Sequence, residues 1–184
     1  MPWTKQTNTV SKFFLLVFFC LLFRLLPLRA PNIEPLTAAI MPLGGVLGSV
    51  AGFLFALASV LLYDSITGTL GVHTFFTLGA FGILGIWAGI YFKSHEGNIS
   101  NYMHFAIVGT LFFDAATGLL VGPIFYGQSF GVALSGQIPF TALHLVGNIA
   151  FAATLSPVIH HLLIKKRKRI STVPLVDTLN PKII

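Results

Sequence analysis

Charge and cysteine are both scarce in this chain. Only 9% of its 184 residues are charged and only five are acidic, whereas about a quarter of a soluble domain is charged. With 55% hydrophobic residues and a mean hydropathy of +0.86, a soluble globular fold is excluded and an integral membrane protein is expected. The single cysteine, Cys20, excludes an intramolecular disulfide and a cysteine-based metal cluster. It lies in an apolar run and reads as a small core or lipid-facing residue. No Gly-x-x-x-x-Gly-Lys-[Ser/Thr] run occurs, so the chain carries no phosphate loop of that type.

What is abundant is phenylalanine and glycine, 18 of each. These suit lipid-facing bulk and close helix approach, respectively. Prolines and charges divide the chain into apolar spans. The first runs from about Val10 to Leu26 and stops at Arg24, Pro27, Arg29 and Pro31. Leu36 to Tyr63 is apolar but punctuated by Pro42, Gly44, Gly45, Gly48 and Gly52. As one helix it would be about 42 Å long, too long for a hydrocarbon core of about 30 Å. The expectation is a short second span, Leu36 to Leu47, a glycine turn, and a third span from Val50 to Tyr63. Val72 to Phe92, Tyr102 to Leu120 and Ala133 to Ile164 complete six spans. The fold class expected is thus an all-α integral membrane protein, with residues 1–164 as one six-span domain and 165–184 as a basic cytoplasmic tail.

Lys165-Lys166-Arg167-Lys168-Arg169 follows the last span and marks the cytoplasmic side; Lys5 and Lys12 place the N-terminus there too. Both ends inside require an even span count. A cleaved signal peptide fits less well, because Leu28-Arg29-Ala30 lacks the small residue two before the cut. The tail also suits anionic lipid headgroups. Without aromatic interleaving or a folded scaffold, it is not read as a nucleic-acid site.

One stretch is used twice. Phe55-Ala56 leads to Tyr63-Asp64 and Thr67-Gly68, and fifty residues later Phe105-Ala106 leads to Phe113-Asp114 and Thr117-Gly118. Such self-similarity indicates a reused structural unit: a hydrophobic helix that ends on a carboxylate and a hydroxyl. The expected topology gathers the polar residues at the outer face. Arg24, Asn32 and Glu34 follow span one, Asp64 and Asp114 end spans three and five, and His73 begins span four. Gln137, Thr141, His144 and Asn148 step by four, three and four along one face of span six.

Polar groups at membrane depth are costly and turn toward a bundle interior or a cavity. The stripe on span six suits reading an organic solute by hydrogen bonds, or holding helices together. Asp64 and Asp114 admit a structural role as caps. Arg24 either snorkels or pairs with an Asp. The Pro31-Asn32-Ile33-Glu34-Pro35 segment, stiffened by proline, is either a lid or a tight connection.

Arg24-x-x-Pro27 with Pro31-Asn32-Ile33-Glu34-Pro35, the two Asp-x-x-Thr-Gly ends, and Gln137-Ile-Pro-Phe-Thr141-x-x-His144-Leu-Val-Gly-Asn148 with Leu155-Ser156-Pro157 together resemble the substrate-binding S components of energy-coupling factor (ECF) transporters. The resemblance covers about residues 20 to 160. It implies a non-enzymatic subunit of a prokaryotic plasma membrane, with both termini cytoplasmic, that binds a vitamin or other micronutrient at its outer face. It implies as partners a transmembrane coupling subunit and two cytoplasmic ATPases, no cofactor of its own, and a site drawn from Arg24, Asn32, Glu34, Asp64, Asp114, Gln137, Thr141, His144 and Asn148. The chain departs from the family in lacking Ala-x-x-x-Ala on the first span. Its nearest small-residue ridge is Gly44-x-x-x-Gly48-x-x-x-Gly52, which either meets a partner or packs internally against span three, the second being favoured. Two other readings stand beside this one: a haem- or metal-binding redox protein using His73, His104 and His144, and an assembly protein with no ligand.

Overall fold

A computed structural model describes residues 3–28, 30 and 32–164, with side chains from residue 9 onward. Arg29, Pro31, the side chain of Lys5 and the tail 165–184 lie outside the described residues. Every element among those described is helical: α1 (Trp3–Arg24), α2 (Leu36–Leu47), α3 (Ser49–Thr67), α4 (Val72–Ser94), α5 (Ile99–Asp114), a π-helical segment (Ala115–Leu119), α6 (Leu120–Tyr126) and α7 (Phe130–Ile164). Four stretches are long and apolar enough to cross a membrane: Ser49–Thr67, Val72–Ser94, Ile99–Tyr126 and Phe130–Ile164. Beside them stand the short α2 and α1, whose apolar run Phe13–Phe23 is bounded by Lys12 and Arg24.

Long-range contacts fix the run of the chain. Lys12 Nζ donates to the carbonyl of Leu162 and Tyr102 Oη lies 2.9 Å from His160 Nδ1, which marks one end of the bundle. Arg24 Nη1 reaches the Ser59 carbonyl at 3.5 Å and Asp114 meets His144, which marks the other. The helical rods therefore alternate in direction, with α5, the π segment and α6 forming one rod.

The second helix is central rather than lipid-facing. Leu36 through Gly44 are all buried, and α2 packs on α3, α4 and α7. At 12 residues it is about 18 Å long, so it reaches only part of the way through a bilayer core. Its interior Pro42 cannot donate to the carbonyl of Ala38. That carbonyl is satisfied from another helix, by Ser156 Oγ of α7 at 2.8 Å. Buried backbone groups in an apolar medium need such a partner.

The expected glycine turn forms at Gly48, whose φ of +98° lies in a region that side-chain-bearing residues rarely adopt. Gly44 and Gly52 of the glycine ridge pack internally, while Gly48 serves the turn and has open space beside it. A Cβ on Gly44 would meet Ala88 and Gly89 at 3.0 Å, and one on Gly52 would lie 2.6 Å from the Gly85 carbonyl oxygen. Backbones of α2, α3 and α4 thus approach as closely as small residues allow. Outward faces carry large apolar side chains, among them Phe14, Leu15, Phe18 and Phe19 on α1 and Ile83, Ile86 and Ile90 on α4.

The third span runs to Thr67 and ends where Gly68 takes a left-handed conformation, φ +68°, its N–H donating to the Asp64 carbonyl. The fifth does not end at Leu120. Its second Asp-x-x-Thr-Gly copy passes into the π segment and the helix continues to Tyr126. After Gly118 the chain reads Leu119-Leu120-Val121, with no polar turn residue to stop it. A π-bulge accommodates an extra residue without breaking the rod.

Candidate functional site

At the end of the bundle marked by Arg24 and His144 lies a cavity of about 750 Å³, within the range of small-molecule sites. Its walls come from the C-terminus of α1, the loop before α2, the last turn of α3, α4, the α5–π junction and α7. Arg24, Asn32, Glu34, Tyr63, Thr67, His73, Thr77, Phe81, Phe113, Thr117, Phe140 and His144 contribute, with Leu25, Leu26 and Pro27 at the α1 end.

Arg24 is the one described arginine and it is tightly held. Its Nε lies 2.9 Å from Glu34 Oε2, both side chains about a tenth exposed. The guanidinium also stands 4.0 Å over the Tyr63 ring and donates to Ser59 O. Among the described residues it thus pairs with Glu34 rather than with Asp64 or Asp114, and the pair clasps the first inter-helix loop to the ends of α1 and α3. Removing one partner of a buried pair costs more than the pair itself contributes, because the other charge is left uncompensated. Asn32, in the same loop, has φ +63°. Asparagine tolerates this left-handed geometry better than other side-chain-bearing residues.

The two carboxylates sit directly behind the wall, each held by the following or facing helix. Asp64 Oδ2 accepts from Thr74 Oγ1 at 2.7 Å, and Thr74 Oγ1 in turn accepts the Gly71 N–H at 3.1 Å. Asp64 thereby anchors the first turn of α4. Asp114 Oδ1 lies 2.7 Å from His144 Nδ1 on α7. One turn away, Asn148 Nδ2 donates to Thr110 Oγ1 at 2.8 Å, so two buried side-chain bonds form a ladder between α5 and α7. Asp114 Oδ2 and Asn148 Oδ1 have no hydrogen-bond partner among the described residues.

The four-residue face of α7 therefore turns toward α5 and the π segment, and only part of it meets the cavity. His144 lines the cavity, and Asn148 is buried on Thr110. Gln137 donates to Thr141 Oγ1 at 3.1 Å and lies over Gly118, where a Cβ would come within 1.7 Å of its Oε1. Of the nine candidates, Arg24, Asn32, Glu34 and His144 line the cavity; Asp64, Asp114, Gln137 and Asn148 brace the helices that form it, and Thr141 holds Gln137 within α7. His144 has its partner, Asp114, at its own depth on α5, which spacing on α7 alone does not reveal.

His73 and His144 meet the same cavity, while His104 lies near Tyr91 toward the other end. Among the described residues no group of three or more His, Cys, Asp and Glu side chains is disposed to hold a metal ion. Several wall residues carry a signal that the sequence reading leaves unused. His73, Thr77 and Phe81 step by four along α4, and Phe140 stands one turn before His144. Compared with protein families, with curated proteins and with solved structures, the chain matches none.

Proposed function

We propose that this protein captures a small organic solute at the membrane surface, as the substrate-binding subunit of an ATP-driven micronutrient uptake system of the ECF type in a prokaryotic plasma membrane. One observation carries the reading. Polar side chains from five separate helical rods and one loop converge at a single end of an otherwise apolar bundle, around a cavity of about 750 Å³. A bundle that only needed gluing together has no use for a polar hollow, since polar groups at such depth are expensive.

In this reading Arg24 and Glu34 tie down the loop that covers the site, Asn32 and the threonines Thr67, Thr77 and Thr117 offer hydrogen bonds, and Phe81, Phe113 and Phe140 supply apolar walls. Asp64 and Asp114 position Thr74 and His144. The cavity end faces outward and the basic tail inward. A transmembrane coupling subunit and two cytoplasmic ATPases drive release to the interior.

The test is uptake from a mixed micronutrient pool into proteoliposomes, read as depletion of individual solutes by mass spectrometry. The purified chain alone is expected to bind one solute without accumulating it, and accumulation is expected only with the coupling subunit, the ATPases and ATP. Accumulation by the chain alone would assign it to another transporter class.

A further inference from the structure

The hydrogen-bonding sense of the cavity points to the kind of solute it takes, an inference that rests on the cavity being a solute site. Asp114 accepts from His144 Nδ1, and a carboxylate can only accept, so Nδ1 carries a proton. With the ring neutral, Nε2 is left as a lone pair on a residue that lines the cavity. Thr117 points the same way. Its hydroxyl proton goes to the Phe113 carbonyl at 2.8 Å, and Thr67 does likewise with the Tyr63 carbonyl at 2.8 Å. The Thr117 oxygen therefore presents lone pairs, whereas the Thr67 oxygen also receives Thr69 Oγ1 at 2.8 Å. Glu34 adds a carboxylate to the wall.

The strongest donor among the described residues at this end is already engaged, since the Arg24 guanidinium meets Glu34, Ser59 and the Tyr63 ring. Charge follows the same sense. Among the described residues, three carboxylates, Glu34, Asp64 and Asp114, stand at this end with one guanidinium, and Asp114 Oδ2 is buried with no donor. The apolar part of the wall is aromatic, with Phe113 and Phe140 nearly perpendicular to the His144 ring at centroid distances of 5.6 and 5.9 Å and Phe113 packed on Phe81 at 4.2 Å.

We propose that the cavity selects a planar solute bearing N–H donors and positive charge, an amino- or amidino-substituted ring system, and discriminates against carboxylates. His144 Nε2 and Thr117 Oγ1 would accept its N–H groups while Phe81, Phe113 and Phe140 enclose the ring.

The experiment uses three ligands of nearly equal shape: benzamidinium, benzamide and benzoate. Each is titrated by saturation-transfer NMR onto the full chain in lipid nanodiscs, with empty nanodiscs as control. The expected order is benzamidinium, then benzamide, then benzoate, with at least about a tenfold separation between first and last, the factor that one charge-assisted hydrogen bond supplies. Thr117→Val, nearly isosteric, is expected to weaken benzamidinium about fivefold and leave benzoate unchanged. Asp114→Asn is expected to reduce the preference by releasing the imidazole from its fixed tautomer.

Binding of benzoate as tight as or tighter than benzamidinium would overturn the proposal and leave the solute-capture reading standing; it would mean that His144 presents a proton to the cavity. A preference for benzamidinium unmoved by Thr117→Val and Asp114→Asn would place its site elsewhere and overturn the proposal too. Absence of protein-specific binding by all three would count against both the proposal and the solute-capture reading.

Discussion

At Asp64-x-x-Thr67-Gly68 the helix stops, and at Asp114-x-x-Thr117-Gly118 it does not. The two copies share one threonine bond, each hydroxyl donating to the carbonyl four residues back at 2.8 Å, and Thr67 adds a contact with Thr69 Oγ1. They differ in what the glycine is for. Gly68 is left-handed and caps α3, a conformational use. Gly118 sits in a π turn, and its missing side chain makes room for the Gln137 amide, a packing use. They also differ in what the carboxylate holds. Asp64 binds a hydroxyl at the start of the very next helix, whereas Asp114 binds an imidazole on α7, thirty residues on. The first copy is a local corner; the second is a long-range brace that fixes a cavity residue. One motif serves both because an Asp and a small residue at a helix end suit capping and close contact alike.

That contrast can be broken residue by residue. The largest effect is expected at the carboxylates. Asp114→Ala should cost about 3 kcal/mol in reversible SDS unfolding, because it removes a charge-assisted bond and leaves His144 buried without a partner. Asp64→Ala should cost about half of that, since it orphans only a hydroxyl. Equal costs would mean that the two carboxylates do the same work.

The glycines come next. Gly68→Ala should cost about 1–2 kcal/mol through left-handed strain, and no second-site truncation on α7 should recover it. Gly118→Ala should cost about 1 kcal/mol by crowding Gln137, and Gln137→Ala should recover most of it, a coupling visible in a double-mutant cycle. Failure of that rescue would remove the packing explanation. The smallest effect is expected where the copies agree. Thr67→Val and Thr117→Val should each change stability by about 0.5 kcal/mol or less, because bonds back to the helix's own carbonyls contribute little. A large difference between them would show that the Thr67–Thr69 contact, which Thr117 lacks among the described residues, carries structural weight.

The same contrast explains what could be read from the chain in advance. Helix positions were legible wherever a glycine or proline acts through its own backbone. Gly48 and Gly68 both break helices where the pattern places breaks, and the short Leu36–Leu47 helix falls at its expected bounds. What Gly118 does depends on Gln137, nineteen residues away, so the continuation of the fifth rod to Tyr126 was not legible. The burial of α2 was hidden for a related reason, since lipid and a protein interior favour the same apolar residues.

At the site, the gathering of polar residues at one end followed from helix direction alone. Which side chains face the hollow did not. The step of four to three to four on α7 identifies a shared face but not what that face meets, and α5 supplies Thr110 and Asp114 to occupy it. The pairing of Arg24 with Glu34 rather than with an Asp likewise depends on a loop path that hydropathy does not encode.

The most direct test of solute capture is native mass spectrometry of the intact chain, released from nanodiscs after equilibration with a micronutrient mixture. Wild-type protein is expected to carry one low-mass solute at a ratio of 1:1, and Thr117→Trp, which fills the hollow with an indole, is expected to fly without it while keeping its helical circular dichroism. An unliganded wild-type protein, or a filled variant that retains the same solute, would contradict the account.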